Sequence, residues 1–154
     1  MYNSEGFFYI FACMKNKINI VNRKSKFEYQ FIDTYNAGVV LNGVEVKSIR
    51  DGKFSFTDSY CIFQNGELFM KNTSISGIGN DNIGRDRKLL LKKKELTKLN
   101  KDLINGLSII PYRLYENDRG LFKIEIVLAK GKKLFDKRES IKKRDVEREM
   151  KKIL

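Results

Sequence analysis

The stretch SYCIFQNGELFMK, residues 59–71, sets Asn65 and Gly66 between two short apolar runs. An Asn-Gly pair in that setting is the strongest short hairpin signal, so the segment reads as two antiparallel strands joined by a tight turn. Downstream, residues 107–115 and 121–129 flank ENDRG and read as a second hairpin. Phe122, Ile124, Ile126 and Leu128 line one face there, with Lys123 and Glu125 on the other. Upstream, residues 27–41 mix aromatic and β-branched side chains around Asn36, Ala37 and Gly38, which reads as two strands and a turn.

Helical signals are fewer. Val44, Lys47 and Ser48 stand at helical spacing before Gly52, which suggests a short helix over 44–51. Leu96, Leu99 and Leu103 recur at helical spacing with Gly106 just beyond, so 92–105 reads as an amphipathic helix with a lysine-bearing outer face. Several short strands with few helices between them give a mainly β chain. The expected architecture is a small antiparallel barrel of the oligonucleotide-binding type, closed or nearly so, with two or three helices and a basic C-terminal tail helix.

With 154 residues, 42% apolar and 12% aromatic, the chain has the means for one core and one domain. Its 31 Lys and Arg against 19 Asp and Glu leave a charge of +12, which favours a polyanionic partner. There is no histidine, so His-based triads and histidine-ligated zinc sites are excluded, and no cofactor or metal is expected. Cys13 and Cys61 make no disulfide framework and read as inert thiols of a reducing compartment, the cytoplasm.

The charge is concentrated. Residues 85–101 carry eight basic and two acidic groups and residues 130–154 carry eleven and five, net +6 each, while the remainder sums to zero. In the tail, Val146, Met150, Ile153 and Leu154 form an apolar stripe on an otherwise charged helix, and Glu139–Lys143 and Glu147–Lys151 stand at i, i+4. Such pairs alone do not secure a helix, so the tail reads as mobile in isolation and folding on a partner. Gly131, inside the run KGKKLFDKR, permits a close backbone approach to phosphate.

Residues 6–13, GFFYIFAC, are too short to span a bilayer and follow no basic residue. The polar sequence after Met14 marks that residue as the expected native start. The division is therefore an N-terminal extension at 1–21, a barrel at 22–129 and a basic tail at 130–154, in a monomer without a membrane partner.

Specific strings add a resemblance to this reading. NRKSKFEY (22–29), AGVVLNGVEVKSIRDGK (37–53), DSYC (58–61), RKLLLKKKEL (87–96) and AKGKKLFDKRESIKKRD (129–145) closely resemble the bacterial small protein B family, the SsrA-binding proteins that partner transfer-messenger RNA. The resemblance implies an oligonucleotide-binding barrel without catalytic activity. It implies that the barrel holds the transfer-RNA-like domain of the charged RNA, enters the vacant A site with elongation factor Tu, and rescues stalled ribosomes by trans-translation. It also implies that the tail becomes helical in the empty messenger channel. Carried over by position, Asn22, Lys24, Lys26, Lys88, Leu90 and Lys92 face the RNA, and the apolar residues of 44–48 fall in the core. Gly131, Lys132, Lys133, Asp136, Lys137 and Arg138 lead from barrel to tail, and 142–154 is the channel-probing tail, with Lys142, Lys143, Arg144, Met150, Ile153 and Leu154 in it. Phe27, Asn36, Lys92 and Val146 depart from the common family residues. The loop 77–86 is shorter than usual, with Arg85 placed to replace a lost RNA contact.

Three rivals remain at this level. A general single-strand-binding barrel would need a row of exposed aromatics, for which Tyr29, Tyr35, Tyr60, Tyr112 and Tyr115 are candidates. A peripheral membrane protein would use the basic amphipathic C-terminus. A nuclease would draw on Asp51, Asp58, Asp81, Asp86, Asp118 or Asp136, which form no recognisable motif.

Overall fold

A computed structural model describes residues 17–79 and 84–153. Cys13, Met14, Asp81 and Leu154, and the expectations attached to them, lie outside the described residues. In chain order the elements are β1 (Asn19–Val21), α1 (Arg23–Glu28), β2 (Tyr29–Val39), α2 (Gly43–Arg50), β3 (Phe54–Ser55), β4 (Tyr60–Gln64), β5 (Glu67–Lys71), β6 (Ser74–Ile75), β7 (Arg87–Leu90), α3 (Lys93–Ile104), β8 (Ser108–Glu116), β9 (Phe122–Gly131) and α4 (Leu134–Ile153).

The main sheet is antiparallel with strand order β1-β8-β4-β5-β7-β2-β9, and β8 also pairs with β9. That last pairing closes β8, β4, β5, β7, β2 and β9 into a ring, which removes their exposed edges. The second edge of β8 is shared: Ile109 meets Cys61 of β4, and Arg113 to Tyr115 meet β1. The sheet thus begins at Asn19 and ends at Gly131. A short ribbon, β3 with β6, lies beside it.

Leu68, Met70, Leu89, Leu114, Ile124 and Ile126 fill the barrel, and α2 and α3 add Ile49 and Leu99 to the same core. The hairpin at 59–71 forms as expected, with Asn65 at φ 51° and Gly66 at φ 77°. The hairpin of β8 and β9 and the helices α2 and α3 also stand where periodicity places them.

Residues 27–41 differ. They hold no turn at Asn36–Gly38: one eleven-residue strand, β2, runs through all three. Ala37 is fully buried opposite Ile124, and Gly38 pairs with Lys123 on one side and Leu90 on the other. A Cβ on Gly38 would lie 3.3 Å from the Leu90 Cβ, so the glycine serves close strand approach and not a reversal. Tertiary pairing on both edges overrides a local composition that favours turns. The irregularity of β2 lies instead between Phe31 and Asp33, where the register with β9 shifts and Ile32 turns outward.

Candidate nucleic-acid interface

The first group of expected RNA contacts sits on α1, a helix too short to show a periodic signal. Asn22 makes it. Its Oδ1 accepts the Ser25 N–H at 3.3 Å, its backbone carbonyl accepts the Ser25 hydroxyl at 2.7 Å, and its Nδ2 donates to the Pro111 carbonyl at 3.1 Å. Asn22 is therefore half-buried and occupied in holding α1 on β8, beside a small outer cluster of Ile110, Val127 and Ala129. Lys24 and Lys26 point outward from this platform. Lys24 donates to Asp58 at 3.3 Å and lies 3.8 Å from Glu28; the Asp58 hydrogen bond is the chief reason its ammonium titrates above the ordinary lysine value.

The second group lies on β7 and the start of α3. Leu90 is 51% exposed, and with Val40 and Val44 it adds an apolar element to this end of the barrel. Lys88 pairs with Glu67 at 2.5 Å across neighbouring strands. Lys92, Lys93, Lys94 and Lys101 are exposed and enter no ion pair among the described residues. The two groups do not converge. α1 adjoins the Tyr29 end of β2 and β7 adjoins its Val39 end, so about 30 Å of extended strand separates them.

At the β7 end lies a feature that sequence reasoning missed. Glu45, fully buried on α2, receives Arg85 Nη2 at 2.5 Å and Arg87 Nη2 at 2.9 Å, and Arg87 is only 1% exposed. Arg87 also donates to the Thr73 hydroxyl at 2.7 Å and the Arg85 carbonyl at 2.8 Å. Glu45 closes the capping box of α2 as well, accepting the Asn42 N–H at 3.0 Å. Burial alone would raise the Glu45 carboxyl, but the Arg85 hydrogen bond, the Asn42 N–H and the Arg87 charge outweigh it and hold it below the ordinary range. Asn42-x-x-Glu45 is legible as a capping signal, whereas partners 40 and 42 residues away carry no local sequence sign. One expectation is corrected here and another is qualified. Arg85, placed by its sequence position as a substitute RNA contact, is engaged by Glu45 with about a third of its side chain still exposed, at 34%. Val44 is 49% exposed and is no core residue, unlike Ile49.

Much of the basic surplus of 85–101 is thus neutralised in space, since Arg85, Arg87, Lys88 and Lys98 all have acidic partners. The tail is different. α4 runs for 20 residues with none buried. Leu134, Phe135, Met150 and Ile153 are 61–85% exposed, and Val146 is 50% exposed, so the apolar stripe is uncovered. The expected pairs Glu139–Lys143 and Glu147–Lys151 do not close.

What holds α4 is its base. Gly131 pairs with Tyr29 at the end of the sheet, and the Lys132 N–H donates to the Glu28 carbonyl at 2.9 Å. Lys132 Nζ bridges the Lys26 carbonyl at 3.3 Å and the Ser140 hydroxyl at 3.2 Å, and Asp136 accepts the Lys133 N–H at 3.3 Å. Arg144 stands 5.3 Å from the centroid of the Phe27 ring. These contacts supply the nucleus that an isolated helix of this composition lacks. Lys137, Arg138, Lys142 and Lys143 project from the anchored part. Phe27→Ala is expected to remove about 0.5–1 kcal/mol of cation–π attraction. Amide exchange across 134–144 should then quicken while exchange in β8 and β9 stays unchanged, as read by mass spectrometry.

The row of aromatics needed by a general single-strand binder is not assembled. Tyr35 is buried against Lys98 and Asp33, Tyr112 packs edge-on against Phe31, and Tyr115 lies under Arg113. Tyr60, 39% exposed, is the most accessible of the five. Cys61 is buried, and desolvation pushes its thiol far up, which makes it unreactive. Among the described residues no helix is long and apolar enough to cross a membrane, and no three Cys, Asp or Glu gather as a metal-binding group.

A closed antiparallel barrel of the oligonucleotide-binding type, bearing exposed lysines and an anchored but uncovered basic helix, defines a class of nucleic-acid-binding protein. Comparison with known proteins gives the particular family. A family model described as SmpB protein matches residues 19–154, and the chain belongs to the SmpB family. It is 51% identical over 151 residues to the SsrA-binding protein of Christiangramia forsetii, covering 94% of this chain and 96% of that one. It is 52% identical over 139 residues to the SsrA-binding protein of Phocaeicola vulgatus, covering 86% and 93%. Among solved structures, a chain from "tmRNA-SmpB: a journey to the center of the bacterial ribosome" superposes with a TM-score of 0.65 at 39% identity, covering 80% of this chain and 94% of that one.

Proposed function

We propose that this chain binds the transfer-RNA-like domain of transfer-messenger RNA and carries it to stalled ribosomes for trans-translation, acting in the cytoplasm by binding and not by catalysis. Elongation factor Tu is met through the charged RNA. The observation that carries this reading is α4: a 20-residue basic helix with no buried residue, fixed at one end to a barrel of the SmpB family. A helix with that much uncovered apolar and cationic surface calls for an anionic partner that also offers apolar contact, and a ribosomal channel freed of its message offers both.

The candidate RNA contacts are Lys24 and Lys26 at one end of β2 and Lys88, Leu90 and Lys92 at the other, with Asn22 positioning α1. Gly131, Lys132 and Lys133 lead into the tail. A folded RNA presents its phosphates to two such stations at a fixed separation, whereas an unstructured strand loses conformational entropy in doing so. The test is competition for the pure protein between a transfer-RNA-like transcript and an unstructured oligonucleotide of equal length. The transcript should win by at least tenfold; equal affinity would favour the general single-strand binder. Replacing Lys92, Lys93 and Lys94 together by glutamine should flatten the slope of log affinity against log salt by about two units, if each neutralises one phosphate.

A further inference from the structure

Beside α1 the barrel carries an open cleft of about 590 Å³, within the range of small-ligand sites. One wall is β1 and α1; the other is the segment from Phe54 to Tyr60. Phe54 and Phe56, packed edge to face at 4.8 Å, are buried along it, and the partly exposed Tyr60 lines it too.

The charges of this cleft cancel, in a protein that carries +12 overall. Arg23 and Lys24 stand against Glu28 and Asp58, and Lys24 joins the two walls through its ion pair with Asp58. A site for phosphate would show an uncompensated surplus of cations. A charge-balanced cleft with aromatic walls and two carboxylate acceptors suits a flat, uncharged group that carries N–H donors. The second wall is also held in a particular shape. Asp58 sits at φ 54°, in the left-handed region, the Ser55 and Thr57 hydroxyls lie 2.7 Å apart, and Ser59 donates to the Asn72 carbonyl at 3.2 Å.

We infer that this cleft receives one unstacked nucleobase of the bound RNA, which lies against the Tyr60 ring and offers its N–H edge to Asp58 or Glu28. The inference rests on the RNA-binding function proposed above and adds to it a base-binding site distinct from the lysine contacts. Stacking is indifferent to the tyrosine hydroxyl and to bulk salt, whereas phosphate contact is salt-dependent, and the two can be separated.

The experiment measures affinity for the transfer-RNA-like transcript, across a salt series, for the full-length protein and three variants. Tyr60→Ala should weaken binding about tenfold with an unchanged salt slope, and Tyr60→Phe should bind as the parent does. Thr57→Trp, which fills the mouth of the cleft from an exposed position and gives up the Ser55–Thr57 hydroxyl contact, should weaken binding to a similar degree while its thermal midpoint falls by no more than a few degrees. Binding within twofold of the parent for both Tyr60→Ala and Thr57→Trp would overturn the site, as would a Tyr60→Phe loss equal to that of Tyr60→Ala. A parent protein that fails to prefer the transcript at all would instead overturn the proposed function.

Discussion

Replacing Glu45 by alanine is expected to destabilise the chain by about 3–5 kcal/mol, the cost of breaking a buried ion pair by removing one of its members. Arg87, 1% exposed, would keep the Thr73 and Arg85 oxygens but lose its close ion pair with Glu45, and α2 would lose its capping box. For a domain of this size that corresponds to a fall in thermal midpoint of roughly ten degrees or more. Glu67→Ala, which removes a partner from the exposed Lys88 pair, should cost no more than about 1 kcal/mol. The Glu45 contribution also fixes the sign of an acid dependence. Its folded carboxyl titrates below the ordinary value, so its stabilisation is complete above the unfolded-state pKa of about 4.3 and is lost as pH falls through the lower folded value. Urea unfolding between pH 7 and pH 3 should therefore show the Glu45→Ala penalty shrinking as the parent loses this pair. A penalty that is constant across that range would place its origin in packing alone.

Removal of residues 142–154 should separate two activities. The barrel, α1 and the first turns of α4 are untouched by the cut, and none of the removed side chains is buried in the described structure. Affinity for the transfer-RNA-like transcript should stay within several-fold of the parent and the barrel should melt as before. Peptide tagging on stalled ribosomes, reconstituted with transfer-messenger RNA, should collapse. The loss includes Arg144, so a part of the effect on α4 anchoring is shared with Phe27→Ala. Comparing the two separates the anchor from the cationic tip: Phe27→Ala should reduce tagging only in part.

The sequence shows most of the strands but not how they share partners. The Asn65-Gly66 hairpin and the alternation of Phe122 to Leu128 are set by neighbours in the chain, and both form as read. Asn36-Ala37-Gly38 carries the same kind of local signal as a turn, yet pairing with β9 on one edge and β7 on the other draws it into a strand. Local propensity of about 1 kcal/mol is outweighed there by two flanking ladders. α1 escaped notice because six residues cannot display a helical period, although Asn22 followed by Ser25 is its cap. Summed charge misled in one respect. Arg85 and Arg87 count toward the basic run 85–101, but they share Glu45, a partner that only the fold brings close and that offsets one of their two charges. Tail charge was legible because nothing in the barrel neutralises most of it. The cleft beside Tyr60 had no sequence sign, since its walls come from segments some 30 residues apart.

Amide hydrogen exchange of residues 145–153 tests the central claim most directly, measured in the protein alone, with the transfer-RNA-like transcript, and on ribosomes with and without message beyond the P site. Fast exchange is predicted in the first two states and on ribosomes that hold message, with strong protection only where the channel is empty. Protection of that segment in the protein alone, or its appearance on adding the transcript without ribosomes, would contradict the account.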